Sequence, residues 1–449
     1  MYRSLLATLI EWKNSEDRIP LMLDGARQVG KSILIEKLFG EEHFDNVFKI
    51  NFEESPTAEN LFNDSLKADE LIERISIFLG KDFNVATDLL FFDEVGLCES
   101  ALNSLKYFKE QRPDIYLCAS GSNIGLIKRY PVGQALELTL YPMSFYEFVL
   151  ASRNAPLIRA FDNQDRNDVV HEKLTALFRQ YLFVGGMPAA VSKWYSSQKP
   201  IVQKSQEIRQ VQNDLIKGYV RDFGKYDANN KFLASQLESV FRNIPKQLSQ
   251  SVDTTVKRFK FSKIIKGKDR YKDLQTIIDY LASTHLLSKS KIIEGKPTSP
   301  LSTVEVEGRF KLFCHDVGIL HALLEVSYPQ IIQQSFPYKG YMAENFAQNE
   351  LLANGVISTY SWRSGNSAEL EFLITNAIGD VIPVEIKSGK NTKAKSLELY
   401  LKEYKPKLAY KLCDLIGGFR KELVHTRPLY YISHAAKSLV MEWEIKNYF

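Results

Sequence analysis

The chain has 449 residues, 25% of them charged and 45% hydrophobic, with a formal net charge of +4. This is an ordinary globular balance. It excludes a strongly cationic protein but not local basic patches. The length suggests about three domains. Cys98, Cys118, Cys314 and Cys413 lie far apart with no CxxC pair, which argues against a disulfide framework or zinc site and fits a reducing cytoplasm.

In chain order, residues 1–20 read as an amphipathic helix with Leu5, Leu9 and Trp12 on one face, rather than as a signal peptide. Strands are expected at 19–23, 47–52, 89–92, 115–119 and 135–140, with helical segments between most of them. Alternating strands and helices predict a mainly parallel α/β sheet. After Ser144 the pattern turns helical to about residue 225, interrupted by Val184-Gly185-Gly186-Met187-Pro188. Residues 231–293 read as helix, a turn at Pro245, helix and β-hairpin, which resembles a winged helix; 294–304 read as a loop. From about 335 a second α/β unit is expected, with helix YMAENFAQNELLANG and strands at 358–363, 369–374 and 381–387. No stretch is long and apolar enough to suggest a membrane span.

Gly25-Ala26-Arg27-Gln28-Val29-Gly30-Lys31-Ser32-Ile33 follows the first strand and opens a helix. The GxxxxGK[ST] spacing lets glycines curl the backbone so that its N–H groups face phosphate oxygens, and the helix dipole adds to this. Lys31 would reach the β- and γ-phosphates of ATP, and Ser32 would supply a hydroxyl to Mg²⁺. Leu89-Leu90-Phe91-Phe92 ends in Asp93 and Glu94. Asp93 is expected to hold the metal and Glu94 to activate the attacking water. Ser120 and Ser122 are expected either to sense the γ-phosphate or to form a plain strand-ending turn.

Together with SGSN, LYPMSFYEF, VGGMPAAV, RDFGKY, IPKQL, FKLFCHDVGIL and YMAENFAQNELL, these motifs resemble a large prokaryotic group of AAA-type P-loop ATPases with a C-terminal domain of unknown function. The resemblance implies an ATP- and Mg²⁺-dependent ATPase. Gly186-Met187-Pro188 resembles the GxP element of STAND-type ATPases, which implies an adenine contact for Pro188; its alternative is a break between two helices. Many members of the group carry Arg or Lys after the glycine before the fifth strand. Here Gly133 is followed by Gln134, leaving Arg129 and Arg221 as substitute arginine-finger candidates.

Glu371 in one apolar strand, and Glu385 with Lys387 in the next, put two carboxylates and a lysine on one face. Such a group can bind Mg²⁺ and activate water for phosphodiester cleavage. The arrangement resembles a PD-(D/E)xK restriction-endonuclease-like core, with Glu344 as its helical acid. The alternative is a cross-strand charge pair. Residues 257–272 hold eight basic side chains and one acid, interleaved with Phe259, Phe261 and Tyr271. A second run carries Lys387, Lys390, Lys393, Lys395, Lys402 and Lys405. Both read as DNA-binding stretches or as solvated faces.

The fold expected is therefore α/β: a P-loop AAA-type ATPase core at 1–150, a helical lid at 151–228, a winged-helix-like domain at 229–334 and a PD-(D/E)xK nuclease-like domain at 335–449. The expected function is ATP binding and hydrolysis coupled to a DNA-associated nuclease-like domain. The alternative is a STAND-like switch acting on protein partners, with that domain inactive. ATP/ADP and DNA are the expected partners; a homo-oligomer or protein partner stays open.

Overall fold

The computed structural model describes residues 1–122, 124, 133–225, 231–249, 258–333, 339–365, 368–387, 394–416, 420–421 and 423–440. They divide into two compact units. The first is Met1–Tyr141 with Ser283–His285, and the second is the remainder from Pro142 onward.

In the first unit, β1 (Leu21–Asp24), β2 (Asn46–Asn51), β3 (Asp88–Asp93), β4 (Tyr116–Ser120) and β5 (Leu136–Thr139) form a sheet in the order β2-β3-β4-β1-β5. All its pairings are parallel. Every residue of β3 is buried, as the unbroken LLFF run requires of a strand covered on both faces. Phe92 makes edge-on contacts with Phe52, Phe62 and Phe108, which fix the end of β3. The register pairs Asn51 with Asp93, Phe92 with Ala119, and Leu23 with Ser120. The carboxyl ends of four strands therefore meet beside the loop that follows β1, the usual ligand-binding edge of an open α/β sheet. The N-terminal helix Leu5–Lys13 buries Leu9 and Trp12.

The second unit begins with helices Phe145–Ala151, Ala155–Asp162, Asp168–Val184, Pro188–Ser196 and Ile201–Lys225. The turn expected at Pro245 is not formed: one helix, Lys231–Ser249, runs through that proline. Its stripe of Leu237, Val240, Phe241 and Ile244 is buried, and tertiary burial of an apolar face outweighs the ~3 kcal/mol penalty of an internal proline. Helix Tyr271–Ser283 leads into the antiparallel hairpin of β6 (Leu287–Glu294) and β7 (Glu305–Cys314).

The helix expected before the C-terminal strands is Lys339–Ala353. It is followed by β8 (Thr359–Ser364), β9 (Ala368–Thr375), β10 (Val381–Ile386), β11 (Ala409–Cys413), β12 (Arg420–Lys421) and β13 (Val424–Pro428). Among the described residues these strands and the hairpin form one mixed sheet, β12-β13-β11-β10-β9-β8-β6-β7. The hairpin of region 229–334 thus pairs directly with the strands of region 335–449 through β6 and β8. No helix among the described residues is long and apolar enough to cross a membrane.

Candidate active site

The loop after β1 is shaped by residues that other side chains could not replace. Gly25 has φ +146°, and a Cβ there would lie 2.3 Å from the Leu140 carbonyl oxygen. Gly30 has φ +96° and caps the helix that starts at Lys31. Gln28 also takes a left-handed backbone, φ 66°, a strained conformation of the kind that clusters at ligand-binding loops. Ala26 and Val29 are buried and anchor the loop, whereas Ile33 is exposed. Arg27 pairs with Glu53 at 2.9 Å.

Lys31 is only 5% exposed. Its ammonium donates to the carbonyl oxygens of Gly25 at 2.9 Å and Ala26 at 3.0 Å. Burial lowers its pKa, while the nearby carboxylates of Glu94, Asp24 and Asp93 oppose the shift. Asp93, 1% exposed, is held from several sides. Its Oδ1 accepts from Ser32 at 2.9 Å and from Ser120 at 2.6 Å. Its Oδ2 accepts from Asn51 at 3.3 Å and lies 3.3 Å from the Lys49 ammonium. Because the Ser32 hydroxyl spends its proton on Asp93, its lone pairs stay available to a cation. The pair therefore fits a Mg²⁺ ion bound through Ser32, with Asp93 behind it. Glu94 follows in a left-handed conformation, φ 52°. Burial raises its pKa, opposed by Lys31 and reinforced by Asp93. Ser122 reaches Glu94 Oε2 at 3.4 Å.

The second constellation lies in the other unit. Extending the β9–β10 register by one residue beyond Val384–Phe372 sets Glu385 opposite Glu371. Lys387 stands 2.5 Å from Glu385 Oε1 and 3.8 Å from Glu371 Oε1. Glu371 Oε2 also accepts from the Ile386 N–H at 2.9 Å. Glu371 is pushed up to about 8 by burial and by the facing Glu385, against the pull of Lys387. Glu344 does not join them directly; its Oε2 accepts from Lys311 at 2.6 Å. Among the described residues no group of three His, Cys, Asp or Glu side chains is placed to hold a metal ion.

The basic stretch divides in two. Arg258, Lys260, Lys263, Lys266, Arg270 and Lys272 are exposed. The interleaved aromatics pack on one another and on β7: Phe261 contacts Phe259, Tyr271 and Phe310. Lys395, Lys402 and Lys405 of the second run are exposed. Lys257, Lys390, Lys393 and Arg129 lie outside the described residues.

Pro188 starts helix Pro188–Ser196. The glycines before it are tightly packed within their unit. The Gly186 N–H donates to Asp316 Oδ2 at 2.6 Å, and a Cβ on Gly186 would lie 2.1 Å from the Met143 carbonyl oxygen.

Residues 17–149 match a family model described as an AAA domain. The first unit is an AAA-type P-loop ATPase domain. Beyond it, residues 175–330 and 339–425 match two models described as domains of unknown function, DUF8612 and DUF4143. No curated protein matches the chain. Among solved structures, the Walker-type ATPase of Pyrococcus abyssi is 15% identical with a TM-score of 0.43, covering 71% of this chain and 94% of its own. The Aeropyrum pernix ORC1 protein in complex with DNA is 10% identical with a TM-score of 0.28, covering 72% and 90%. PCH-2 of C. elegans is 13% identical with a TM-score of 0.27, covering 44% and 62%.

Around the AAA site, three residues escape the sequence reading. Lys49 and Asn51 reach Asp93 only because β2 lies next to β3 in register. Arg3 donates to the carbonyl oxygens of Val29 at 2.7 Å and Tyr141 at 2.5 Å, tying the phosphate loop to the N-terminal segment. Arg3 carries no local motif, so no sequence signal marks it. Gln134 lies just before β5. Arg221 is exposed in the second unit.

Proposed function

We propose that the chain is an ATP-hydrolysing AAA-type protein whose nucleotide state governs a DNA-associated, nuclease-like C-terminal region. The observation that carries the ATPase part is the convergence of Lys31, Ser32, Asp93, Glu94 and Ser120 at one sheet edge. The phosphate loop binds ATP through its N–H groups and Lys31. Mg²⁺, held through Ser32 and Asp93, would neutralise phosphate charge. Glu94 orients the attacking water and takes its proton as the oxygen bonds to the γ-phosphorus; ADP is the leaving group. Ser120 acts through Asp93, and Ser122 through Glu94.

Lys31→Ala should abolish nucleotide binding, and Glu94→Gln should keep ATP bound unhydrolysed. Equal turnover in Glu94→Gln and the wild type would remove the water-activating role from Glu94.

The nuclease-like reading of 335–449 is supported by Glu371, Glu385 and Lys387 meeting on adjacent strands. The winged-helix-like reading of 229–334 is supported by two helices followed by the β6–β7 hairpin. Plasmid nicking with Mg²⁺ or Mn²⁺ in the wild type, lost in Lys387→Ala, is the expected result. Nicking that persists in that variant defeats this part.

A specific observation favours a second reading. Glu344 is drawn to Lys311, and Lys387 pairs with Glu385 and lies 3.8 Å from Glu371, an arrangement that also fits an inactive nuclease-like domain in a nucleotide-driven switch. Tightly held ADP and no nicking by the purified protein would select it.

A further inference from the structure

Lys246 on helix Lys231–Ser249, Arg258, Lys260 and Lys263 on the following segment, and Lys311 on β7 line a cavity of about 500 Å³. Among the described residues no Asp or Glu lines this cavity. None of Lys246, Arg258, Lys260 and Lys263 is ion-paired with a described carboxylate, unlike Arg242, Lys289, Lys291 and Lys311 nearby, which pair with Glu238, Asp279, Glu305 and Glu344. Five positive side chains around one cavity repel one another. Such a cluster is stabilised when a polyanion occupies it. Lys311 is set apart by being 3% exposed. It touches the cavity on one side and Glu344 on the other, at 2.6 Å. The charge of Glu344 in turn bears on both Glu371 and Lys387. The cationic cavity is therefore joined to Glu344, the helical acid expected beside the carboxylate pair, through one buried ammonium.

We propose that this cavity is a cleft for the phosphodiester backbone of DNA, and that Lys311 is the positioning residue that holds the bound strand beside Glu344. An ammonium has three donors, so Lys311 can hold Glu344 and a phosphate oxygen together. The proposal rests on the DNA-associated reading of this region, and it supplies that reading with a site.

The test is binding of a fluorescent random-sequence DNA duplex to the full chain, followed by anisotropy across a salt series. Lys260→Ala/Lys263→Ala removes two exposed cations, and the slope of log affinity against log salt should flatten by about 1.8. Lys217→Ala, a cation outside the cleft, should leave the slope unchanged. Lys311→Met leaves Glu344 unpaired and risks misfolding, so the double variant Lys311→Met/Glu344→Gln accompanies it. That variant should fold and lose at least fivefold in affinity. Unchanged slope and affinity in both double variants would overturn the proposal. So would equal competition by tripolyphosphate at matched phosphate concentration, which would mark a small-anion site. Cleft-dependent DNA binding without metal-dependent nicking upholds the cleft while defeating the nuclease reading.

Discussion

Ser120 donates its hydroxyl proton to Asp93 Oδ1 at 2.6 Å, the oxygen that Ser32 also reaches at 2.9 Å. One carboxylate oxygen thus links the end of β4 to the start of the phosphate-loop helix. Ser120→Ala should keep nucleotide affinity while slowing hydrolysis, because Asp93 loses the donor that fixes its position behind the proposed Mg²⁺. A lost interaction of ~1.4 kcal/mol corresponds to about a tenfold rate change. Parallel measurements of ATP binding and turnover check this, and equal losses in both would assign Ser120 to binding alone.

In its proposed role, Glu94 must be ionised to take a proton from water. Burial raises its pKa above the ordinary glutamate value, so turnover should fall with decreasing pH earlier than an exposed glutamate would dictate. Glu94→Gln should remove this acidic limb together with about 10²–10⁴-fold of the rate. A pH–rate profile of both proteins, with binding measured at each pH, is the check. An identical limb in the variant would place the titrating group elsewhere.

The parts of this molecule that are legible in its sequence are the local ones. The phosphate loop, the all-buried β3 and the strand acids Asp93 and Glu94 depend on spacing within a few residues. What escaped depends on pairing over distance. Asn51 reaches Asp93 through strand register, and Asp316 meets Gly186 from 130 residues away. Phe259, Phe261 and Tyr271 look like base-stacking residues beside lysines. Phe310, on a strand well downstream, packs against Phe261 and Tyr271, and Phe259 is buried. Pro245 misleads in the opposite sense, since its local preference yields to burial of the helix face around it.

Glu350 is 1% exposed and accepts the Phe145 N–H at 2.7 Å. Burial pushes its pKa up to about 8 from 4.5. The folded chain therefore keeps a proton that the unfolded chain releases, so the stability contributed by this group is full below about 4.5 and declines as pH rises towards 8. Glu350→Gln keeps an oxygen acceptor for Phe145 and cannot ionise. Its thermal stability should therefore decline less than that of the wild type between pH 6 and 8, a window of roughly that titration. Parallel melting curves across this range would remove the assignment.

Lys387 keeps Glu371 and Glu385 from facing each other unopposed across β9 and β10. Glu371 is held towards its neutral form by burial and by the facing Glu385, so the buried charge that would lose its partner is that of Glu385, which is 0% exposed. Lys387→Met should therefore cost about 3 kcal/mol, the lower end for breaking a buried pair, because the lysine itself retains some contact with solvent. Lys387→Met/Glu385→Gln should recover most of that loss, since one acid is then neutral and can share a hydrogen bond with the other. The double-mutant cycle separates ion pairing from packing: additive losses would mean that the aliphatic stem of Lys387, not its charge, holds the two strands. Mg²⁺ added to Lys387→Met gives a further readout. If the two acids can take a cation in place of the ammonium, the melting temperature of the single variant should rise with Mg²⁺ while that of the double variant stays fixed.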